Sequence, residues 1–417
     1  MQVLIDFTDA PTGRPGALRH AFDTPLATLV ASSAQQVPAL LDAVERHARA
    51  GRWCVGYVRY EAAPAFDAAY TVHAADGPLA WFGVYESALD WPDAPALPPS
   101  HADWTGGPDR AAFDADMARI HAAIAAGELY QVNYTAPLDG TLQGEALALF
   151  QALQRAQPGG YAAFIDSGHE QLLSVSPELF FDWNGEHILA RPMKGTAPRG
   201  ADAAADQANV QALRSSPKER AENVMIVDLL RNDLSRIAEP HSVHVPVLFR
   251  TEALPTVWQM SSDVTARVRP GTTLARVFGA LFPCGSITGA PKVQAMRLIH
   301  GLEAQARGVY CGAIGVVRPG GHATFNVAIR TVTIRGQQLR CGIGSGITSD
   351  ATAAGEWQEW RHKRAFLDRA SQPFELLETL RLQDGQLLET PRHLARMARA
   401  AQHFGFSCEP AALQAAL

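Results

Sequence analysis

The scarcest charged residue in this sequence is lysine. Of its 36 Lys and Arg residues, only Lys194, Lys218, Lys292 and Lys363 are lysine, and the other 32 are arginine. Arginine stays protonated in proteins, whereas a lysine can lose its proton and then act as a base or nucleophile. Each of the four lysines is therefore a candidate for chemistry, with a packing or ion-pair lysine as the alternative.

Other absences limit the class of protein. Five cysteines are scattered over 417 residues without a Cys-x-x-Cys pair, which favours a reducing compartment over a disulfide framework or a zinc site. No run of 18 apolar residues occurs, and no basic segment precedes an apolar one at the start of the chain, which predicts a cytoplasmic protein with no membrane partner. The net charge of −6 and the lack of a basic run argue against nucleic acid as a partner.

The length leaves room for two or three domains. Residues 1–105 are predicted to form a mixed α/β segment, and the proline-rich stretch from Trp91 to Pro108 is predicted to be the loop that ends it. Asp109 to Gly127 has the apolar spacing of a helix, and Leu129 to Thr135 follows as a strand. Uneven strands and helices continue to about residue 350, which does not indicate a regular βαβ repeat.

A buried acid is indicated between Ser174 and Phe181. Glu178 follows Pro177 at the end of an apolar strand. Apolar surroundings raise the pKa of a carboxyl group, as a general acid requires. The alternative is an ordinary glutamate in a turn.

Two helical segments carry a Glu-x-x-Glu pair. Glu219 and Glu222 lie on the helix predicted from Lys218 to Asp233, and Glu356 and Glu359 lie in a second helix that ends near Lys363. Residues three apart share a helical face, and carboxylates without histidine or thiolate suit Mg²⁺ rather than zinc. The alternative is a solvated helix face.

Glycine-rich segments and one strand could bind an anion. Pro283 to Lys292 is predicted to be a loop that enters a helix, and Cys341 to Ile347 a strand that leads into a tight loop. Exposed backbone amides bind carboxylates or phosphates, although simple turns are the alternative and neither segment is a nucleotide P-loop. Phe325 to Val332 is predicted to be one alternating strand on which Asn326 and Arg330 point the same way, so that Arg330 could clamp a carboxylate.

From about Asp109 to Lys363 the chain resembles the chorismate-utilising enzymes, which include the anthranilate, aminodeoxychorismate, isochorismate and salicylate synthases. The resemblance implies an α/β (α+β) fold with two curved antiparallel sheets packed as a sandwich and helices outside. It also implies that residues 106–370 form the chorismate-binding catalytic region and that the cofactor is Mg²⁺. The matching segments are Leu129–Asn133, Ser176–Phe180, Arg191–Arg199, Glu219–Asp233, Gly285–Lys292, Ile329–Thr331, Gly342–Ile347 and Glu356–Lys363.

Two positions separate the branches of this family. Gln131 stands where the isochorismate and salicylate synthases have a lysine that activates water. Lys194 stands in Pro192-Met193-Lys194-Gly195-Thr196, where the anthranilate synthases have alanine. The chain therefore resembles the aminodeoxychorismate synthase branch, in which ammonia adds at C4 of chorismate rather than at C2. The enzyme alternative is an anthranilate synthase component, and the non-enzyme alternative is a regulator that binds chorismate or an aromatic amino acid.

The resemblance also implies roles for individual residues. Lys194 would attack C2 of chorismate while Glu178 protonates the departing C4 hydroxyl, and ammonia would then add at C4 and expel Lys194. Glu222 and Glu359 would hold Mg²⁺, with Glu219 and Glu356 in its outer shell. The residues implied in substrate binding are Gln131, Gln259, Thr288, Lys292, Tyr310, Arg330, Gly344, Ser345 and Gly346.

The sequence departs from the family pattern in two places. Gln259, within Val257 to Met260, replaces a family histidine, so that histidine's acid or base role does not transfer. Residues 371–417 resemble the start of a fold-type IV pyridoxal-phosphate enzyme of the aminodeoxychorismate lyase kind. No lysine follows Lys363, so we expect no lyase activity. A glutaminase signature is also missing, which predicts that a separate amidotransferase subunit supplies the ammonia.

Overall fold

The strands form two large antiparallel sheets whose outer faces are covered by helices. The computed structural model describes residues 2–7, 18–92, 97–254, 257–371, 374–404, 406 and 408–416. Neighbouring strands pair antiparallel in every pairing found among these residues. The predicted fold class is confirmed.

The first sheet has nine strands. Its members, from one edge to the other, are Gly289–Ala290 (β15), Gln131–Gln143 (β7), Gln338–Ile347 (β19), Thr331–Arg335 (β18), Gln171–Ser176 (β9), Tyr161–Asp166 (β8), Val3–Asp6 (β1) and Arg19–Phe22 (β2), with His101–Gly106 (β6) also paired to β7.

The second sheet has ten strands. Its members in spatial order are Met193–Pro198 (β12), Val257–Arg267 (β14), His187–Arg191 (β11), Leu179–Trp183 (β10), Ala323–Val327 (β17), Ala313–Val317 (β16), Trp53–Val58 (β4), Ala80–Tyr85 (β5) and Ala27–Ala31 (β3), with His244–Ala253 (β13) also paired to β14. Strands from the first 105 residues thus belong to both sheets. The domain boundaries near residues 105 and 370 stay predictions.

Helices and a small hairpin complete the described part of the chain. Leu382–Gln383 (β20) pairs with Gln386–Leu387 (β21), and short 3-10 segments span Tyr60–Ala65 and Gly285–Ile287. The α-helices are Gln36–Arg49 (α1), Arg110–Ala125 (α2), Ala146–Ala156 (α3), Ala203–Ser215 (α4), Pro217–Ser235 (α5), Leu274–Leu281 (α6), Lys292–Leu302 (α7), Ala353–Ser371 (α8), Thr390–Phe404 (α9) and Pro410–Ala416 (α10). None of the helices in the described ranges combines the length and the apolar character needed to span a bilayer.

Successive side chains of a strand point to opposite faces of its sheet, so the core has three layers: one between the two sheets and one outside each sheet. Val3 and Ile5 on β1 pack with Val55 and Tyr57 on β4 in the layer between the two sheets. The residue between Val3 and Ile5, Leu4, faces the helices outside the first sheet. The neighbours of Val55 and Tyr57 on β4 likewise face the helices outside the second sheet. This alternation is what makes the fold a sandwich.

Local signals set the start of the helix that carries the first glutamate pair. The side chain of Ser216 accepts a hydrogen bond from Glu219 N at 3.3 Å, and Pro217 occupies the first turn of α5. A serine cap followed by proline is a strong start signal for a helix. The serine oxygen accepts a hydrogen bond from a backbone amide of the first turn, and proline has no amide hydrogen that would need a partner there. The helix predicted from Lys218 to Asp233 is confirmed.

Two predictions about connections are wrong. The proline-rich stretch from Trp91 to Pro108 is not a loop throughout, because it contains β6; residues 93–96 lie outside the described residues. The stretch from Phe325 to Val332 is not one strand, because β17 ends at Val327 in the second sheet and β18 begins at Thr331 in the first. Arg330, at a φ of +49°, lies where the chain changes sheet.

Candidate active site

Glu178 lies in the turn between β9 and β10. Val327 N donates a hydrogen bond to the Glu178 carbonyl at 3.0 Å, and the Glu178 amide donates to Ser176 Oγ at 3.2 Å. The same Ser176 hydroxyl donates to the carbonyl of Val327 at 2.5 Å. The backbone on both sides of Pro177 is therefore fixed against β17, and the direction of the Glu178 side chain is fixed with it.

The Glu178 carboxyl has the properties of a general acid. It is 3% exposed, and Ser286 Oγ donates a hydrogen bond to its Oε1 at 2.7 Å. Burial raises the pKa of Glu178 to about 7, although the Ser286 hydrogen bond and the charge of Lys194 act to lower it. A carboxyl with a pKa near neutrality can hold a proton at physiological pH and release it during a reaction.

Lys194 lies at a bulge in β12. Met193 pairs with Ser261 and Thr196 pairs with Gln259 on β14, so Lys194 and Gly195 together oppose a single residue. Such a bulge turns a side chain out of the regular alternation. The Lys194 ammonium reaches the first sheet, because a β carbon built on Gly346 of β19 would lie 2.5 Å from Lys194 Nζ. A β carbon at position 346 would displace the end of the Lys194 side chain.

Glutamate carboxylates surround Lys194. Burial is the largest influence on the pKa of each, and the charge of Lys194 acts on all of them in the lowering direction. Among the described residues, no carboxylate oxygen lies within the 4.0 Å ion-pair distance of Lys194 Nζ. The amine is thus near negative charge without being held by one partner. The carboxylates are those of Glu178, Glu219, Glu222 and Glu359.

The two Glu-x-x-Glu pairs face each other from α5 and α8. Burial raises the pKa of Glu219, Glu222 and Glu356, and neighbouring glutamates act in the same direction, whereas the nearby lysines act to lower it. Burial also acts to raise the pKa of Glu359, but the Lys363 ammonium 2.7 Å away, together with the charges of Lys194 and Lys218, holds this pKa below its ordinary value. Carboxylates that raise one another's pKa form a region of negative potential that favours a cation.

The glutamates fit a magnesium ion by their chemistry. Hard oxygen ligands are those that Mg²⁺ prefers, and it commonly uses one or two carboxylates together with water and substrate. In the described part of the chain, no three Asp, Glu, His or Cys side chains stand close enough to form a complete metal site by themselves. The magnesium ion stays a prediction.

Arg330 offers a buried positive charge. Its Nη1 is buried and has no hydrogen-bond partner. Burial, followed by the charge of Arg369, lowers the pKa of Arg330 to about 10. The backbone carbonyl of Arg330 accepts a hydrogen bond from Val175 N at 3.0 Å, which places this turn beside the Glu178 turn. A buried guanidinium nitrogen without a hydrogen-bond partner is costly, and a carboxylate ligand would remove that cost.

Gln131 on β7 is also fully buried without partners. Neither its Oε1 nor its Nε2 makes a hydrogen bond, and its Nε2 lies 2.5 Å from the position that a β carbon on Gly346 would take. The Gln131 amide and the Lys194 ammonium therefore both lie beside Gly346. Buried polar groups are normally hydrogen-bonded, so these atoms fit a polar ligand between the sheets.

Two predicted substrate ligands are engaged within the protein. Thr288 is fully buried and its hydroxyl donates to the carbonyl of Cys284 at 2.9 Å. Lys292 is buried and donates to Asp233 Oδ2 at 2.8 Å and to the carbonyl of Leu281 at 3.2 Å. Lys292 thus joins α7 to α5. For both residues, substrate binding stays a prediction.

Tyr310 packs against the glycine-rich strand. Its ring lies so close to Gly342 that a β carbon there would be 2.1 Å from the ring. Burial, followed by the charge of Cys311, raises the pKa of Tyr310 well above its ordinary value, so its hydroxyl stays protonated and can donate a hydrogen bond. Its contact with substrate stays a prediction.

The glycine-rich loop predicted after Cys341 is wrong. Gly342 to Ile347 continue β19 and pair with β7, because glycine permits a close approach of the two backbones. The pairing of β19 with β18 ends at Cys341, so this part of β19 pairs with β7 alone among the described strands. The Ser345 hydroxyl donates to Glu356 Oε2 at 2.5 Å and accepts from Trp360 Nε1 at 2.9 Å.

Ser286 and Arg307 contribute to the site without a recognisable signal in the sequence. Ser286 donates to Glu178 from the loop before α7. Arg307 donates to the carbonyls of Ile287 at 2.8 Å and Asn133 at 2.7 Å, which holds that loop against β7. Their partners are 20 to 174 residues away in sequence, so no local spacing could have indicated these contacts.

Comparison with known proteins identifies the family of this chain. Residues 91–369 match the family described as chorismate binding enzyme, which is more than half of the chain. The chain belongs to the chorismate binding enzymes. The resemblance inferred from the sequence motifs is confirmed.

This chorismate binding enzyme is similar to proteins of two branches. It is 40% identical over 279 residues to an aminodeoxychorismate synthase component 1 from Klebsiella aerogenes, which is 66% of this chain and 62% of that protein. It is 37% identical over 280 residues to an anthranilate synthase component 1 from Streptomyces coelicolor, which is 66% of this chain and 55% of that protein. The match thus spans about three fifths of the length of these relatives.

The fold of a solved family member is similar. The anthranilate synthase component I from Streptococcus pneumoniae superposes with a TM-score of 0.70 at 25% identity, over 87% of this chain and 89% of that one. The two-sheet architecture is therefore shared well beyond the residues that the family match covers.

Proposed function

We propose that this chorismate binding enzyme converts chorismate and ammonia to 4-amino-4-deoxychorismate. The observation that carries the proposal is the position of Lys194, whose amine lies between the sheets beside Gly346, within electrostatic reach of the buried Glu178 acid. A lysine at this point supplies a nucleophile that an alanine could not. The 40% identity to an aminodeoxychorismate synthase component 1 supports the same activity.

The reaction proceeds as two displacements. The neutral Lys194 amine forms a bond to C2 of chorismate while the C4–O bond breaks, and the hydroxyl takes the Glu178 proton and leaves as water. Ammonia then forms a bond to C4 as the Nζ–C2 bond breaks and Lys194 leaves as a neutral amine. The proton that the new C4 ammonium loses returns to Glu178, so both residues end in their starting states.

Substrate carboxylates require cationic and polar partners. Arg330 has an unpaired buried nitrogen and Gln131 has two unpaired buried atoms, so we assign the substrate's polar groups to this part of the site. A guanidinium binds a carboxylate through two parallel hydrogen bonds, which fixes the orientation of the ring. Fixed orientation at the reacting atoms can supply about 7 kcal/mol or more of the barrier reduction.

Mg²⁺ is assigned to the two helical glutamate pairs, with Glu222 and Glu359 as ligands and Glu219 and Glu356 behind them. When bound, the ion neutralises a substrate carboxylate and draws electron density from the ring. Removal of Mg²⁺ by a chelator is expected to abolish product formation, with recovery on adding Mg²⁺. Full activity in the chelated enzyme, with metal analysis showing no bound ion, would refute this assignment.

The product of the reaction tests the proposed function. Purified chain is incubated with chorismate, Mg²⁺ and ammonium, and the products are analysed by mass spectrometry and fluorescence. We expect a non-fluorescent product in which an amine has replaced the C4 hydroxyl of chorismate. Fluorescent anthranilate would instead identify an anthranilate synthase component. Chorismate that binds without turnover would identify a regulator.

The source of ammonia is tested by the same assay. We propose that a separate glutaminase subunit supplies it, as the sequence lacks a glutaminase signature. Glutamine in place of ammonium is expected to give no product with the purified chain. Equal turnover with glutamine and ammonium would contradict the need for a partner.

A further inference from the structure

Gln259 on β14 pairs with Thr196, next to the bulge that carries Lys194. It is 6% exposed, and its Nε2 donates a hydrogen bond of 3.0 Å to the carbonyl of Gly195 and one of 3.3 Å to the carbonyl of Met260. The side-chain amide thus bridges both strands at the one point where their register shifts. None of the catalytic roles assigned above uses this contact.

The backbone at Gly195 needs such support. A bulge disrupts the regular ladder and leaves a residue without its usual partner. Gly195 has a φ of +94°, in the left-handed region that glycine adopts readily and other residues do not. The Gln259 side-chain amide therefore donates the hydrogen bond to the Gly195 carbonyl that a backbone amide would donate in a regular strand pair.

The bulge also sets the distance between Lys194 and the first glutamate pair. A β carbon built on Gly195 would lie 3.0 Å from Glu219 Oε2 and 3.4 Å from Met260 Cβ. Gly195 is thus packed between α5 and β14. A small rotation of its peptide would change both the contact with Glu219 and the direction in which Lys194 leaves the strand.

We propose that Gln259 is a positioning residue for Lys194. By holding the carbonyl of Gly195, its amide fixes the bulge and aims the Lys194 amine at the space beside Gly346. The inference rests on the proposed function of Lys194 as the nucleophile. It requires a hydrogen-bond donor of glutamine's length at position 259, because the acceptor is a backbone carbonyl on the neighbouring strand.

Gln259→Met tests the proposal because methionine has a similar length and volume and no donor. The effect on catalysis is expected to be a fall in kcat of roughly 10- to 100-fold, with little change in KM for chorismate, since a small misplacement of a reacting group costs about this much. The effect on the amine is measured separately. The rate of acetylation by an amine-selective reagent is followed at each lysine by peptide mass spectrometry, and we expect the rate at Lys194 to rise relative to that at Lys218.

Gln338→Met is the matched control, because Gln338 is an exposed strand residue on β19; it is expected to change neither measurement. Gln259→Glu, which replaces the donor with an acceptor, repeats the test if the methionine variant does not fold. An unchanged Lys194 acetylation rate in a folded variant would overturn the proposal. Because acetylation needs no turnover, that result is distinguishable from failure of the proposed function, in which the unaltered chain forms no aminodeoxychorismate.

Discussion

Replacement of Lys194 by alanine is expected to reduce the formation of 4-amino-4-deoxychorismate by at least about a thousandfold, because loss of a covalent nucleophile removes the reaction path itself. The side chain is surrounded by carboxylates but held in no ion pair within 4.0 Å among the described residues, so its loss leaves the packing of β12 largely intact. Product is measured by mass spectrometry, and folding by thermal unfolding. Near-normal activity in Lys194→Ala would contradict the nucleophile assignment.

Lys194→Arg tests whether Lys194 acts as a nucleophile or only through its positive charge. Arginine keeps a positive charge among the glutamates but does not lose its proton in proteins. If Lys194 acts only by its charge, Lys194→Arg should retain activity. We expect it to be as inactive as the alanine variant.

Replacement of Glu178 by glutamine is expected to lower kcat/KM by about 10²- to 10⁴-fold, which is the usual contribution of a positioned general acid. Glutamine retains the size of the side chain and can still accept the hydrogen bond from Ser286. Chorismate binding, measured by calorimetry, should change little. A variant that binds and turns over chorismate normally would contradict the assignment.

The role of Glu178 as an acid also predicts the direction in which kcat/KM changes with pH. Burial raises the pKa of Glu178 from 4.5 to about 7, so the acid is protonated below about pH 7 and ionised above it. The kcat/KM of the unaltered chain should therefore fall as the pH rises through about 7, and this fall should be missing in the residual activity of Glu178→Gln. The folded state also binds the Glu178 proton more tightly than the unfolded chain, so stability should fall between pH 4.5 and about 7 in the unaltered chain and less so in the variant.

Local chemistry in the sequence predicted the acid and the glutamate pairs. A glutamate after proline at the end of an apolar strand predicts a buried acid or a turn glutamate, and Glu178 is both buried, with a raised pKa, and placed in a turn. The periodicity of Lys218 to Asp233 and the spacing of Glu219 and Glu222 predict a helix with both carboxylates on one face, and α5 confirms the helix. These features depend on residues within one turn or one strand, which is why the sequence alone indicates them.

Contacts between distant strands could not be predicted in this way. The alternating pattern from Phe325 to Val332 continues across the point where the chain passes from the second sheet to the first. The pattern alone therefore cannot show that two separate strands are present. Asn326 was expected to point with Arg330, but its side chain donates to the carbonyl of Tyr161 inside the core. The prediction that Arg330 binds a carboxylate rested on a single strand from Phe325 to Val332, which the structure does not contain. The buried nitrogen of Arg330 that lacks a hydrogen-bond partner nevertheless supports the same role.

The family and the fold class inferred from the motifs are confirmed, but the C-terminal interpretation is not tested. Residues 374–404 form a hairpin followed by α9, and Gly405, within the predicted Phe404-Gly405-Phe406 motif, lies outside the described residues. The lyase-like origin of this segment stays a prediction.

Trapping of the covalent intermediate tests the central claim most directly. The chain is incubated with chorismate and Mg²⁺ without ammonia, quenched, and examined by intact-protein and peptide mass spectrometry. The account predicts a species heavier by the mass of chorismate less one water, located on Lys194 and lost when ammonium is added before quenching. Rapid conversion of chorismate with ammonium, but no adduct at Lys194 at any time before ammonium is added, would contradict it.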